Sequence, residues 1–353
     1  MSGMPDLAPR ELCRSINAFP LGVHCSGVRS GGSGNPDDRA FLDGLRRAIE
    51  DTEGAILLDT ADSYGKGKSE RLIGRVLREY TGLPLQISSK VGTLRSSAEH
   101  PYADRRINHQ LQQTLDNLYV DQLALYTLQS LDFGPHDCFL GHAADQMHTL
   151  RDLELIRAVG MPGPDVAYTA SPEQQSAAVT GFLKAFHAIG PDVIWTRFNA
   201  LTPNVLIEGD DLFTFARKHG VGVVLTSPLA QGVLIGKSPP SATVRPHYAM
   251  AGTALGAPHS MGSIARGLQS LRDRFGPYPG ALTRAALRFC LQRASHSVVL
   301  VGFRTEAQVT ESFGCLGEPL TNDELAFMEG TFAEMRASLM APVQASTVAE
   351  SRR

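Results

Sequence analysis

No stretch of this 353-residue chain is apolar for long enough to cross a bilayer, and its opening, MSGMPDLAPREL, lacks the basic-then-apolar order of an export signal. An excess of one charge is missing as well. The formal net charge is -3, which favours neither nucleic acid nor an anionic membrane as a partner. A small-molecule substrate is the expected partner, and the sequence carries no signal of oligomeric state. Cysteine is scarce: the five (Cys13, Cys25, Cys138, Cys290, Cys315) are odd in number, widely spaced and form no C-x-x-C pair. That pattern suggests neither a disulfide framework nor a zinc site, and fits reduced thiols of a cytoplasmic protein. The eleven histidines include no H-E-x-x-H or similar spacing, so no metal is expected. Low-complexity segments and short-period repeats are also absent.

What the chain does have is alternation. At 42% hydrophobic it can bury a large core. Short apolar runs read as strands at 20–23, 55–58, 85–89, 122–128, 156–160, 192–198, 222–225 and 297–302. Between them, 37–51, 69–80, 104–118 and 171–188 place Leu, Ile, Val or Phe at helical spacing on one face. Eight such units with no linker between halves predict an α/β fold, a single (β/α)8 TIM barrel over residues 1–340 with its site at the C-terminal ends of the strands. Residues 11–23 fit a hairpin sealing the barrel bottom. Residues 232–263, rich in Gly, Pro, Ser and His, read as a long loop covering the mouth, 321–340 as a final helix and 341–353 as a disordered tail.

The stretch LLDTADSYGKGKSERLIG (57–74) runs a strand into Asp59 and Tyr64 and then into a helix. Taken singly, Asp59 reads as a turn cap, Tyr64 as packing and Lys90, closing QISSK, as a surface amine. Taken together at a barrel mouth they make a tuned acid. A phenol of pKa about 10 needs roughly 4 kcal/mol of differential interaction to reach neutrality. A neighbouring ammonium supplies that interaction, and a carboxylate keeps the ammonium charged and aimed.

The motifs DTADSYGKGKSERLIG, ISSKVG, SPLAQGVLIGK (227–237) and LVGFRTEAQVTES (300–312) resemble those of the aldo-keto reductases, with the layout matching over roughly residues 10–340. The resemblance implies a TIM barrel, NADP(H) as cofactor, and Asp59, Tyr64 and Lys90 as three of four catalytic positions. The fourth, usually histidine, is Gln129, which can orient a substrate oxygen but cannot titrate near neutrality. A steroid double-bond reductase branch of that family also replaces this histidine. Where the family holds its nicotinamide, this chain has Pro162, Gly163, Trp195 and Thr226. On the phosphate and adenine side the resemblance assigns Ser227, Leu229, Gly232, Lys237, Gly302, Arg304, Gln308 and Glu311. Substrate-wall candidates, from position alone, are His24, Tyr102, Phe133, Trp195, His247 and Tyr248. The expected activity is hydride transfer from NADPH to a carbonyl or conjugated double bond. The alternatives are a non-redox isomerase or lyase using Tyr64 and Lys90 for proton transfer, and a silent binding barrel.

Overall fold

The computed structural model describes residues 8–14, 16–28, 36–94, 98–103, 105–167, 170–237, 258–278 and 280–340. The chain opens with an antiparallel hairpin, β1 (Arg10–Cys13) and β2 (Ile16–Ala18). Eight parallel strands follow: β3 (Leu21–His24), β4 (Leu57–Asp59), β5 (Gln86–Val91), β6 (Leu123–Leu128), β7 (Ile156–Pro162), β8 (Val193–Arg197), β9 (Gly222–Thr226) and β10 (Ser297–Gly302). They pair in sequence order, and β10 closes on β3 through Val299↔Leu21 to Gly302↔His24. This is the expected closed (β/α)8 barrel, with each strand boundary within two residues of the sequence reading.

Helices fill the outer layer: α1 (Pro36–Glu50), α2 (Lys68–Leu77), α3 (Arg106–Leu118), α4 (Leu140–Asp152), α5 (Pro172–Ile189) and α6 (Leu212–Lys218). After β9 come a 3-10 helix (Ala230–Ile235), α7 (Pro258–Phe275) and α8 (Ala281–Leu291); α9 (Glu306–Phe313) and α10 (Asn322–Met340) follow β10. The reading of 232–263 as loop therefore reaches too far at both ends. Its start lies in the 3-10 helix, and 258–263 form the first turns of α7, where PHSMGS offers no apolar spacing before Ile264. Residues 238–257, including His247 and Tyr248, and the tail 341–353 lie outside the described residues.

Two apolar layers hold the fold. Outward-facing strand residues pack on the helices, while the hairpin's Leu12, Cys13, Ile16 and Ala18 form one buried cluster with the inward-facing Leu57, Leu125, Ala158, Val193, Val224 and Leu300. The hairpin thus caps the bottom of the barrel. Gly222 permits it, because a Cβ there would lie 2.0 Å from the Leu12 carbonyl oxygen. With the bottom filled, polar inward positions are left for the upper end, where β3, β4 and β5 finish in His24, Asp59 and Lys90–Val91.

Candidate active site

The β3–β4 register sets His24 beside Asp59, and β4–β5 sets Asp59 beside Ser88, two residues before Lys90. Because strand side chains alternate with period two, all four point into the barrel. Lys90 is fully buried and donates to Asp59 Oδ2 at 2.7 Å and to the Thr60 carbonyl at 2.6 Å. Ser88 Oγ donates to Asp59 Oδ1 at 3.1 Å. Burial pushes the Asp59 carboxyl up, but the Lys90 ammonium and His24 together outweigh it and hold the group below its ordinary value. Burial also pulls the Lys90 ammonium down, with Asp59 opposing it. The contact is a dry ion pair, and each partner is tolerated there because of the other.

Tyr64 sits over this pair. Lys90 Nζ lies 4.9 Å from the Tyr64 ring centroid and 5.0 Å from that of Trp195, so the ammonium is held between two aromatic faces. The phenol oxygen meets His24 Nε2 at 3.4 Å, and His24 Nδ1 meets Asp59 Oδ2 at 2.7 Å. The expected convergence of Asp59, Lys90 and Tyr64 thus runs partly through a residue assigned from position to the substrate wall. Two acceptors already fix the ammonium beneath the ring, and the imidazole faces the phenol oxygen from β3. Gln129 enters more loosely, its Oε1 accepting from Ser63 Oγ at 3.5 Å.

The remaining wall candidates divide. Trp195 projects into the barrel interior, 6.2 Å from His24 between ring centroids, with its indole N–H buried and unpartnered among the described residues. Tyr102 and Phe133 are instead buried against each other, and the Tyr102 hydroxyl both donates to the Ser130 carbonyl and accepts from the Ser130 N–H, each at 3.0 Å. Through Ser130 they brace the loop after β6.

Beyond β9, Ser227, Ala230 and Gln231 all adopt positive φ (58°, 47° and 59°), a concentration of left-handed non-glycine backbone typical of functional loops. Asn199 Nδ2 holds this turn through the Ser227 carbonyl at 3.2 Å. Leu229 precedes the 3-10 helix, and the Lys237 stem folds back across Gly232. Gly302 ends β10 facing open space, with no atom within 4 Å of where a Cβ would stand. The exposed Arg304 follows, leading into α9, whose N-cap Thr305 makes no side-chain cap. Gln308 and Glu311 are engaged within the fold: Gln308 Oε1 accepts from the Arg304 N–H at 2.8 Å, and Glu311 Oε1 from Thr283 Oγ1 at 2.7 Å.

Comparison with known proteins decides the family. The model of the Aldo/keto reductase family matches residues 27–331. The chain belongs to the aldo/keto reductase family. It is 25% identical to a chloroplastic pyridoxal reductase of Arabidopsis thaliana, covering 84% of this chain and 79% of that protein. It is 21% identical to an NADH-specific methylglyoxal reductase of Escherichia coli (strain K12), covering 89% and 94%. Among solved structures, a glycerol dehydrogenase from Gluconobacter oxydans superposes with a TM-score of 0.73 at 21% identity, covering 99% of this chain and all of that one. That likeness supports the barrel. These matches identify an oxidoreductase of the aldo/keto reductase family, and none of the three names is an isomerase or a lyase.

The loops above the barrel differ in the groups they offer a ligand. The donor set above β9 and β10, with Arg304, Lys237 and the uncapped start of α9, suits phosphate. Elsewhere, Thr226 Oγ1 is committed to the Thr196 carbonyl at 3.3 Å, and the Gly163 N–H to the Trp195 carbonyl at 3.0 Å. Sequence reasoning passed over Asp62 and Glu70. Glu70 is buried and accepts from Ser89, Thr114 and Asn117, tying α2 to β5 and α3. Burial, with Glu70 nearby, pushes the Asp62 carboxyl up to about 7. The signal for Asp62 was its place as the second acid of DTADSY. Among the described residues no group of His, Cys, Asp or Glu is close enough to hold a metal, and no helix is long and apolar enough to cross a membrane.

Proposed function

We propose that this aldo/keto reductase reduces a carbonyl or conjugated double bond of a small molecule with NADPH, using Tyr64 as proton donor tuned by Lys90 and Asp59. The observation that carries the reading is the fully buried Lys90–Asp59 pair beneath the Tyr64 ring. A buried pair replaced by apolar residues often leaves a protein no less stable, so a chain that keeps one at its mouth gains chemistry from it. A bound nicotinamide dinucleotide supplies hydride to the substrate carbon, and the protein's task is the matching proton.

Tyr64 delivers that proton to the substrate oxygen. The Lys90 ammonium, a few ångströms below the ring, favours the phenolate left behind, and Asp59 keeps the ammonium in place. Gln129 orients the oxygen by hydrogen bonding. Arg304, Lys237 and the backbone of 227–232 would hold the phosphates, with the two cations favouring the additional phosphate of NADPH over NADH. One relative's name specifies NADH, so this preference is a property to measure. The five cysteines are free thiols, which suits the cytoplasm. Because Trp195 is the only tryptophan, its fluorescence reports the site directly. Titration with NADPH should quench it saturably, and at lower concentration than NADH. Absence of any response to either, checked by calorimetry, would overturn the redox reading.

A further inference from the structure

His24 and Asp59 are register partners on adjacent strands, so their side chains leave the sheet side by side on its inner face. Asp59 Oδ2 receives Lys90 Nζ and His24 Nδ1, each at 2.7 Å. A carboxylate only accepts, so Nδ1 must carry the hydrogen in that contact, whatever the charge on the ring. The tautomer is thereby fixed, and Nε2 is left as the position where a proton comes and goes. Nε2 is the atom that faces the Tyr64 hydroxyl, at 3.4 Å, with the rings edge-on at 80° and 5.3 Å between centroids. Gln129, just past the end of β6, has no titratable atom to offer.

We propose that His24 is the proton relay of this site, a positioning and proton-storing residue acting through Tyr64 from β3. The proposal rests on the reading of Tyr64 as the acid. In the reducing direction the Tyr64 O–H bond breaks as its proton passes to the substrate oxygen. The Nε2–H bond of the His24 imidazolium breaks as its proton passes to the phenol oxygen. One proton leaves with the product, the phenol is restored, and the ring ends neutral with hydrogen on Nδ1, to be recharged from solvent. In the oxidising direction both transfers reverse, and neutral Nε2 accepts the phenol proton.

Reduction therefore needs the imidazolium and declines as pH rises through its titration, while alcohol oxidation needs the neutral ring and climbs over the same range. Among the described residues the charged groups facing His24 are Asp59 from β4 and Lys90 from β5. Tyr64 and Trp195 face it with rings, and its β10 neighbour is Gly302, which has no side chain. Cys25, just past β3, packs in the outer layer, and burial pushes its thiol up and keeps it protonated.

The test is nitrogen NMR of 15N-histidine-labelled protein without cofactor, with the His24 signals identified by their loss in His24→Gln. The expected result is a neutral form protonated on Nδ1 with Nε2 bare, and a titration midpoint that moves by about one pH unit in Tyr64→Phe, which leaves His24 in place. A neutral form protonated on Nε2, or a midpoint indifferent to Tyr64→Phe, overturns the relay. In turnover, His24→Gln should lower kcat with KM little changed and flatten the opposed pH profiles; unchanged profiles also overturn it. The NMR outcome does not depend on NADPH chemistry, so a failed redox reading and a failed relay are separately visible.

Discussion

Asp59→Asn removes the countercharge of an ammonium that has no exposed surface. The amide can still accept from Lys90 Nζ, but the Coulomb attraction that offsets burial is gone. Breaking a buried pair from one side costs about 3–5 kcal/mol. Lys90→Met should cost a similar amount, because among the described residues it leaves the carboxylate with His24 and Ser88 at 2.7 and 3.1 Å. The double variant leaves no charge stranded and should cost well under the sum of the two, a coupling that a double-mutant cycle reads directly. The pH dependence has a definite sign. The folded-state pKa of Lys90 is lowered, so between that value and the ordinary lysine value the unfolded chain holds a proton that the folded chain has released. Stability rises with pH across that window. In Asp59→Asn burial acts without the carboxylate opposing it, the window opens at lower pH, and the deficit against wild type should shrink as pH rises toward the ordinary lysine value. Asp59 itself, with its pKa depressed, contributes stability above the ordinary carboxylate range that is lost as pH falls through its folded value. Urea midpoints by far-UV circular dichroism at several pH values measure all of this. Single variants each losing under about 1 kcal/mol, or strictly additive losses, would refute the account of the pair.

Arg304→Ala should weaken NADPH binding about tenfold and NADH binding much less; equal affinity of the wild type for the two nucleotides would contradict the assignment of Arg304 and Lys237. Gly92 has φ of +124°, and a Cβ there would lie 2.3 Å from the Tyr102 hydroxyl oxygen, so Gly92→Ala should cost about 1–3 kcal/mol and loosen the Gln129–Ser130 segment, as thermal unfolding would register. Oxidation of NADPH with generic aldehydes should be slow even when NADPH binds if, as the sequence resemblance implies, Pro162, Gly163, Trp195 and Thr226 stand where the family fixes the ring, since hydride transfer is sensitive to misplacement of about 1 Å. Trp195→Gln with Thr226→Tyr should raise that rate, and rapid aldehyde reduction by the unmodified protein would show the departures to be harmless.

The barrel was legible because each strand is a short apolar run and each helix a one-faced stripe, so the eight units announce themselves by period. Helix α7 was missed where its first turns carry Pro, His, Ser and Gly. Asp59, Tyr64 and Lys90 were legible as a motif, and their meeting follows from register: Lys90 stands two residues beyond the position paired with Asp59, on the same inner face. His24 was seen only as a polar residue at a strand end. Its bond to Asp59 depends on the pairing of β3 with β4, which no local spacing encodes. The burial of Tyr102 and Phe133 was illegible for the related reason that position near the mouth does not reveal it; their rings pack against each other.

If Tyr64 gives the proton in an NADPH-dependent reduction, wild type and Tyr64→Phe must part company in turnover and not in cofactor binding. A panel of small aldehydes, dicarbonyls and conjugated enones is screened by NADPH absorbance, with NADPH affinity of both proteins fixed by Trp195 fluorescence. On the best substrate, Tyr64→Phe should lose about 10²–10⁴-fold in kcat with NADPH affinity unchanged. Full turnover in Tyr64→Phe would contradict the account.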